Sequence, residues 1–144
     1  MLNVEADISS RHLITRGDLK LDLKWFAFLN QLWGPFTIDA FASQMKTQLP
    51  RFWSRYNDDK MLARDALQQD WTSEALYCNP PYALIPRILN LVHQFHCTQC
   101  VIIAPIWPSQ PWFPVLMTMS IEVMFMGNVD KLHFAPTVSH QSKA

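Results

Sequence analysis

An open α/β sheet is the fold the sequence predicts, and three observations carry it. Short apolar runs alternate with amphipathic stretches along most of the chain, as strands and helices do in α/β proteins. The runs at 76–78 and 100–105 hold Leu76, Tyr77, Val101, Ile102 and Ile103 with almost no polar interruption, the composition of strands buried on both faces. Polar or aromatic residues with chemical potential fall where strands should end: Asp39, the tetrapeptide Asn79-Pro80-Pro81-Tyr82, and residues 105–107. In open α/β sheets, ligands gather outside the carboxyl ends of the strands.

The elements follow in order. Residues 1–17 show no clean period and read as a tail before a domain spanning 18–138, with 139–144 as a disordered second tail. Leu19, Leu23, Phe26, Leu29, Leu32 and Trp33 recur at helical spacing, and Gly34-Pro35 stops that helix. Residues 36–41 read as a strand, 42–49 as a short helix, 50–60 as a loop rich in charge and aromatic rings, and 61–69 as one or two helical turns. After the strand at 76–78 comes a helix over 84–95 and the strand at 100–105. A helix over 108–119 tolerates Pro111 in its first turn. Residues 121–126, Gly127-Asn128 and 131–134 read as a closing hairpin.

Bulk properties narrow the function classes. A chain of 144 residues with 49% apolar and 12% aromatic residues supports one domain with a proper core. Twelve Lys and Arg balance twelve Asp and Glu, so no global positive field exists and any nucleic-acid contact must be local. Neither an uninterrupted apolar run of about 18 residues nor an apolar amino terminus occurs, which argues against a membrane span or secretory leader and for an intracellular protein. Three cysteines, an odd number beside a good core, point to reduced thiols.

The tetrapeptide suits one kind of acceptor. Consecutive prolines fix φ and remove two donors, leaving a rigid segment with free carbonyls. An exocyclic amine on a base is a poor nucleophile because its lone pair is delocalised into the ring. Two acceptors, the Asn79 side-chain oxygen and the Pro80 carbonyl, would draw it toward sp3 geometry, and the Tyr82 ring would stack on a base removed from its helix. Read alone, a strand-ending turn fits the tetrapeptide equally well.

Asp39 is the carboxylate best placed to meet a cofactor, with Ala40 and Phe41 beside it and small residues Ala42 and Ser43 following; capping of the next helix is its other reading. Only three glycines are present, so no glycine-rich turn is available to cradle a nucleotide. Arg51, Arg55, Lys60 and Arg64 interleave with Phe52, Trp53 and Tyr56, a mixture suited to phosphates and unstacked bases; Arg51, Trp53, Arg55 and Tyr56 are the candidate nucleic-acid contacts. Asp58 and Asp59 dilute that charge, and a solvated loop with a buried aromatic anchor is the competing reading. His93, His96, Cys97 and Cys100 are crowded into eight residues and would have to break a helix and a strand to converge, so no metal site is expected.

From Leu23 to about Thr137 the chain resembles the phage-type Dam adenine-N6 methyltransferases, and more closely the methyltransferase-like domain of DIRS-type tyrosine-recombinase retroelements. The matching stretches are 33–43 (WGPFTIDAFAS), 48–52 (QLPRF), Asp65-Ala66-Leu67 with Asp70-Trp71, 77–82 (YCNPPY), 104–113 (APIWPSQPWF) and Phe134-Ala135-Pro136. Residues 3–11 are similar to the end of a ribonuclease H domain, in which the position of Asp7 belongs to a metal site; without the rest of that domain Asp7 can do no such chemistry.

The resemblance implies a small Rossmann-like class I methyltransferase sheet and S-adenosylmethionine as methyl donor. It further implies adenine N6 in DNA as acceptor, Asn79, Pro80, Pro81 and Tyr82 at the acceptor, and Asp39, Ala40, Phe41 and Asp65 at the cofactor. Asp65 matches a position that reaches the cofactor's adenine, surface charge being its plainer reading. Other modules of a retroelement polyprotein are the implied partners. A catalytically inactive nucleic-acid-binding or scaffolding module is the alternative.

Overall fold

Asp22 starts the first described helix by accepting a hydrogen bond from the Lys24 main-chain N–H at 2.8 Å. In this computed structural model, which describes residues 20–97, 99–126 and 137–140, helix α1 (Leu23–Trp33) buries Phe26, Leu29 and Trp33 along one stripe. Gly34 closes it, donating its N–H to Asn30 O, and a Cβ there would stand 2.3 Å from that same carbonyl oxygen. The Asn30 side chain then accepts from Phe36 N at 2.8 Å and turns the chain into the sheet.

Seven strands follow among the described residues: β1 (Ile38–Ala42), β2 (Phe52–Ser54), β3 (Ala63–Arg64), β4 (Leu76–Cys78), β5 (Cys100–Ile103), β6 (Glu122–Met124) and β7 (Thr137–His140). They form one sheet in the order β3-β2-β1-β4-β5-β7-β6. The first five are parallel, while β7 runs antiparallel to both β5 and β6. This is the doubly wound order 3-2-1-4-5-6 with one reversed strand inserted before the edge, and its switch point lies between β1 and β4. Helix α2 (Ile85–Phe95) connects β4 to β5 and buries Ile85, Ile88, Leu89 and Val92. Helix α3 (Trp112–Met119) follows β5. Trp33 Nε1 donates to Glu122 Oε2 at 2.6 Å, tying the end of α1 to the far edge strand.

Several expectations are corrected. The stretch 42–49 is not a helix: Ala42 ends β1 and the residues after it form turns, because the Gln48 N–H is drawn to Asp39 Oδ2 and Thr47 bonds locally to Leu49, which diverts the backbone bonds a helix needs. The segment 50–60 is not simply a loop, because Phe52–Ser54 is a strand paired on both sides. Residues 61–69 hold strand β3 and a single 3₁₀ turn, Ala66–Gln68, capped by Asp65. The helix expected over 108–119 begins only at Trp112, with Pro111 as its N-cap.

At the carboxyl end, β6 falls within 121–126 as expected, but it pairs with Thr137–His140. Ser139 and His140 therefore belong to the sheet and not to a tail. Gly127-Asn128, the strand expected at 131–134, and the tails at 1–17 and 141–144 lie outside the described residues. No described helix is long and apolar enough to cross a membrane.

Candidate active site

The sheet opens at Asp39. Strands β1 and β4 pair at Ile38–Leu76 and Asp39–Tyr77, and the chain beyond those pairs separates. On the other side, the register jumps from Asp39–Phe52 to Ala42–Ser54, three steps on β1 against two on β2, which is a β-bulge. A cavity of about 170 Å³ occupies this switch point. Asp39, Ala40, Phe41, Ala42 and Ser43 line it from β1, with Tyr77, Asn79, Pro81 and Leu84 from β4 and the turn after it. Arg55 and Tyr56 follow β2, Asp65 and Ala66 follow β3, and Lys20, Lys46 and Gln48 complete the wall.

Asp39 is 2% exposed. Its Oδ2 accepts from Gln48 N at 2.9 Å, whereas its buried Oδ1 has no hydrogen-bond partner among the described residues. Burial pushes the carboxyl pKa up to about 7, against the pull of the Gln48 N–H, the Lys20 charge, the Phe41 N–H and the Thr47 hydroxyl. The last two favour the charged form without completing a hydrogen bond to Oδ1. Across the sheet, the buried Tyr77 hydroxyl also lacks a hydrogen-bond partner among the described residues, and burial with the nearby Asp39 charge drives its pKa well up.

Asp65 holds φ 65°, ψ 98°, a backbone conformation rarely adopted by a residue with a side chain. Its Oδ1 accepts from Leu67 N at 3.0 Å, and its own N–H donates to Ser54 O at 2.7 Å. These bonds fix a carboxylate at the cavity wall from the third strand. The mouth is bound together by Asp58, whose Oδ2 accepts from Ser54 Oγ at 2.7 Å and from Gln44 N at 3.0 Å. Asp58, which diluted the charge of this segment when read in sequence, is thus the tie between the loops after β1 and β2.

The structure therefore brings Asp39, Ala40, Phe41, Asp65, Asn79, Pro81, Arg55 and Tyr56 to one cavity. Four expected site residues stand elsewhere. Pro80 is buried outside the wall, and Tyr82 is buried with its ring edge-on to Trp107, centroids 5.1 Å apart. Tyr82 therefore presents no open face for a base in this conformation. Trp53 is buried against Trp71 in the core. Arg51 sits at the amino ends of the strands, opposite the cavity, where both its terminal nitrogens bond Glu74 at 2.8 Å and one also donates to Thr37 O at 2.9 Å. Arg55 and Tyr56 remain exposed, the guanidinium lying 5.4 Å from the tyrosine ring centroid.

Sequence reasoning missed Lys20, Gln48 and Tyr77. For Tyr77 the signal existed: it lies two residues before Asn79 and so on the same face of an extended strand. Gln48 touches Asp39 through its main chain, which no side-chain pattern records. Among the described residues no group of three His, Cys, Asp or Glu side chains is arranged to hold a metal. Cys78 and Cys100 are free, buried thiols 3.8 Å apart in the core.

The donor set fits a polar cofactor. The unspent Asp39 Oδ1 calls for an N–H or O–H, and Ala40 and Ala42 keep side-chain bulk low beside it. A doubly wound sheet of this order, with a switch-point cavity between a β1 carboxylate and an Asn-Pro-Pro turn after β4, is a Rossmann-like fold of the methyltransferase class. The chain belongs to the Dam DNA N-6-adenine-methyltransferase family, whose model matches residues 16–144. No curated protein matches it.

Proposed function

We propose that the protein transfers a methyl group from S-adenosylmethionine to N6 of adenine in DNA. One observation carries this reading: Asp39 on β1 and Asn79 after β4 line the same cavity at the switch point. Bound there, S-adenosylmethionine would supply an electrophilic methyl group on a sulfonium. Asp39 and Asp65 are the carboxylates that would hold it, and the loop tied by Gln48 to Asp39 excludes water from the carboxylate. Asn79 accepts from the attacking amine, which raises electron density on its nitrogen, and in-line positioning supplies much of the remaining rate. Arg55 and Tyr56 at the mouth offer a cation and an aromatic face to an extruded nucleotide. Tyr82 acts through the turn it anchors against Trp107.

The closer likeness to retroelement modules, with residues 3–11 as a ribonuclease H end, belongs to the same reading and rests on the sequence. Calorimetry with S-adenosylmethionine, followed by transfer of labelled methyl to duplex DNA, tests the proposal. Binding and label recovered as N6-methyladenine are expected. A folded protein that binds no donor at millimolar concentration would leave the inactive nucleic-acid-binding module as the standing explanation.

A further inference from the structure

The cavity contains a second buried polar group that the acceptor and donor roles above do not use. Tyr77 is 1% exposed, lines the cavity, and is the register partner of Asp39 across β1 and β4. Its ring is clamped by Phe26, edge-on with centroids 4.8 Å apart, and by Phe36 at 5.6 Å. Those contacts fix where the hydroxyl stands. Neither that hydroxyl nor Asp39 Oδ1 has a hydrogen-bond partner among the described residues, although both are buried. A buried polar atom left without a partner is costly, and two of them on residues that line one cavity point to a ligand that satisfies both.

We infer that Tyr77 is a ligand-binding residue, its hydroxyl forming with Asp39 Oδ1 a two-point anchor for one hydrogen-bond-donating group of the methyl donor. The inference rests on the proposed function for the identity of the ligand. A carboxylate oxygen only accepts, whereas a phenol both donates and accepts. The anchored group must therefore bring at least one hydrogen to Asp39. An ammonium satisfies the pair by donating to both oxygens; a hydroxyl does so by donating to Asp39 and accepting from Tyr77. Both groups occur on S-adenosylmethionine, the ammonium at its amino-acid end and the hydroxyls on its ribose.

The test is Tyr77→Phe, which keeps the ring and its packing against Phe26 and Phe36 while removing the hydroxyl. Binding of S-adenosylhomocysteine is measured by calorimetry at pH 8.5, where Asp39 is charged in both proteins, and melting is measured without ligand. The expected result is about tenfold weaker binding with an unchanged or higher melting temperature, since the variant no longer buries an unpaired hydroxyl. Equal affinity in the two proteins overturns the inference while leaving the proposed function intact. Failure of the unaltered protein to bind at all overturns the proposed function and the inference with it.

Methylthioadenosine, which lacks the amino-acid end, separates the two ligand groups. If Tyr77→Phe weakens it by the same factor, the anchored group is a ribose hydroxyl; if only S-adenosylhomocysteine is weakened, it is the ammonium. A double-mutant cycle with Asp39→Asn gives a readout that a packing role would not move. Non-additive losses in affinity are expected for two groups sharing one ligand atom, and strict additivity would break the two-point anchor.

Discussion

The Gln48 main-chain N–H donates to Asp39 Oδ2 at 2.9 Å, leaving the other oxygen of a nearly sealed carboxylate unspent. A carboxyl group held in this way costs the fold stability once it ionises. Its folded pKa of about 7 lies above the ordinary value of 3.8, so between those limits the folded state holds a proton that the unfolded state releases. Stability from this group is present in full below about pH 4, falls as pH rises toward 7, and is constant above.

Asp39→Asn removes that loss. The variant should gain on the parent protein progressively between pH 4 and 7, by at most about 4 kcal/mol at the plateau, since each pKa unit is worth about 1.4 kcal/mol. Urea unfolding of both proteins at pH 4.5 and 8 measures this. A stability difference independent of pH would mean that Asp39 ionises as an exposed carboxylate does. The same variant should bind S-adenosylmethionine more weakly at pH 8, gaining stability where it loses function.

Two arginines that look alike in sequence should behave differently. Arg51 is fully engaged with Glu74 and Thr37 at the amino ends of the strands, while Arg55 stands at the cavity mouth. Arg51→Ala should cost about 0.5–1 kcal/mol of stability, modest because half of the side chain is exposed, and leave the salt dependence of DNA binding unchanged. Arg55→Ala should barely alter stability but weaken DNA binding, reducing the slope of log affinity against log salt by about one phosphate contact. Binding titrations at several salt concentrations with both variants decide the matter. A reduced slope for Arg51→Ala would return that residue to the nucleic-acid surface.

How far the sequence was legible follows from these same residues. β5, with its β-branched run, and helix α2 were readable because their burial leaves a trace in the sequence, and the three-residue β4 because it is wholly apolar and is followed by Asn79 and two prolines. β2 was not, because a three-residue strand is too short to show a period and Arg51 and Arg55 flank it with charge. Asp39 and Asn79, which line the cavity, were legible because both lie near strand ends. That Trp53 and Arg51 lie away from the cavity was not legible, because composition alone cannot tell which end or face of a sheet a residue occupies. That is set by the parallel pairing of β1 with β2, which is a tertiary property.

Gly34 joins α1 to the sheet at a place with no room for a side chain. A Cβ there would lie 2.3 Å from Asn30 O and 2.6 Å from Asn30 Oδ1, the atom that also holds Phe36 N. Gly34→Ala must therefore move backbone or break the Asn30–Phe36 bond, and overpacking of this kind costs about 1–3 kcal/mol. Thermal unfolding should show the loss. Donor affinity measured well below the melting temperature should change little, because Gly34 lines no part of the cavity; a large affinity change would couple the α1 turn to the site.

Asn79→Ala isolates the acceptor step. The side chain lines the cavity from the end of β4, where the two prolines that follow hold the backbone, so truncation removes an acceptor without collapsing the strand. Losing one positioned hydrogen-bonding group at a reacting centre costs about 10²–10³ in rate. Labelled methyl transfer should fall by that factor, with donor affinity by calorimetry within about threefold of the parent, a span of roughly 0.7 kcal/mol. Asn79→Asp, which keeps an acceptor oxygen at the same place, should retain more transfer than Asn79→Ala. If instead donor affinity collapses in Asn79→Ala while the turnover of bound donor is preserved, then Asn79 holds the cofactor, and the amine must find its acceptors elsewhere on the turn after β4.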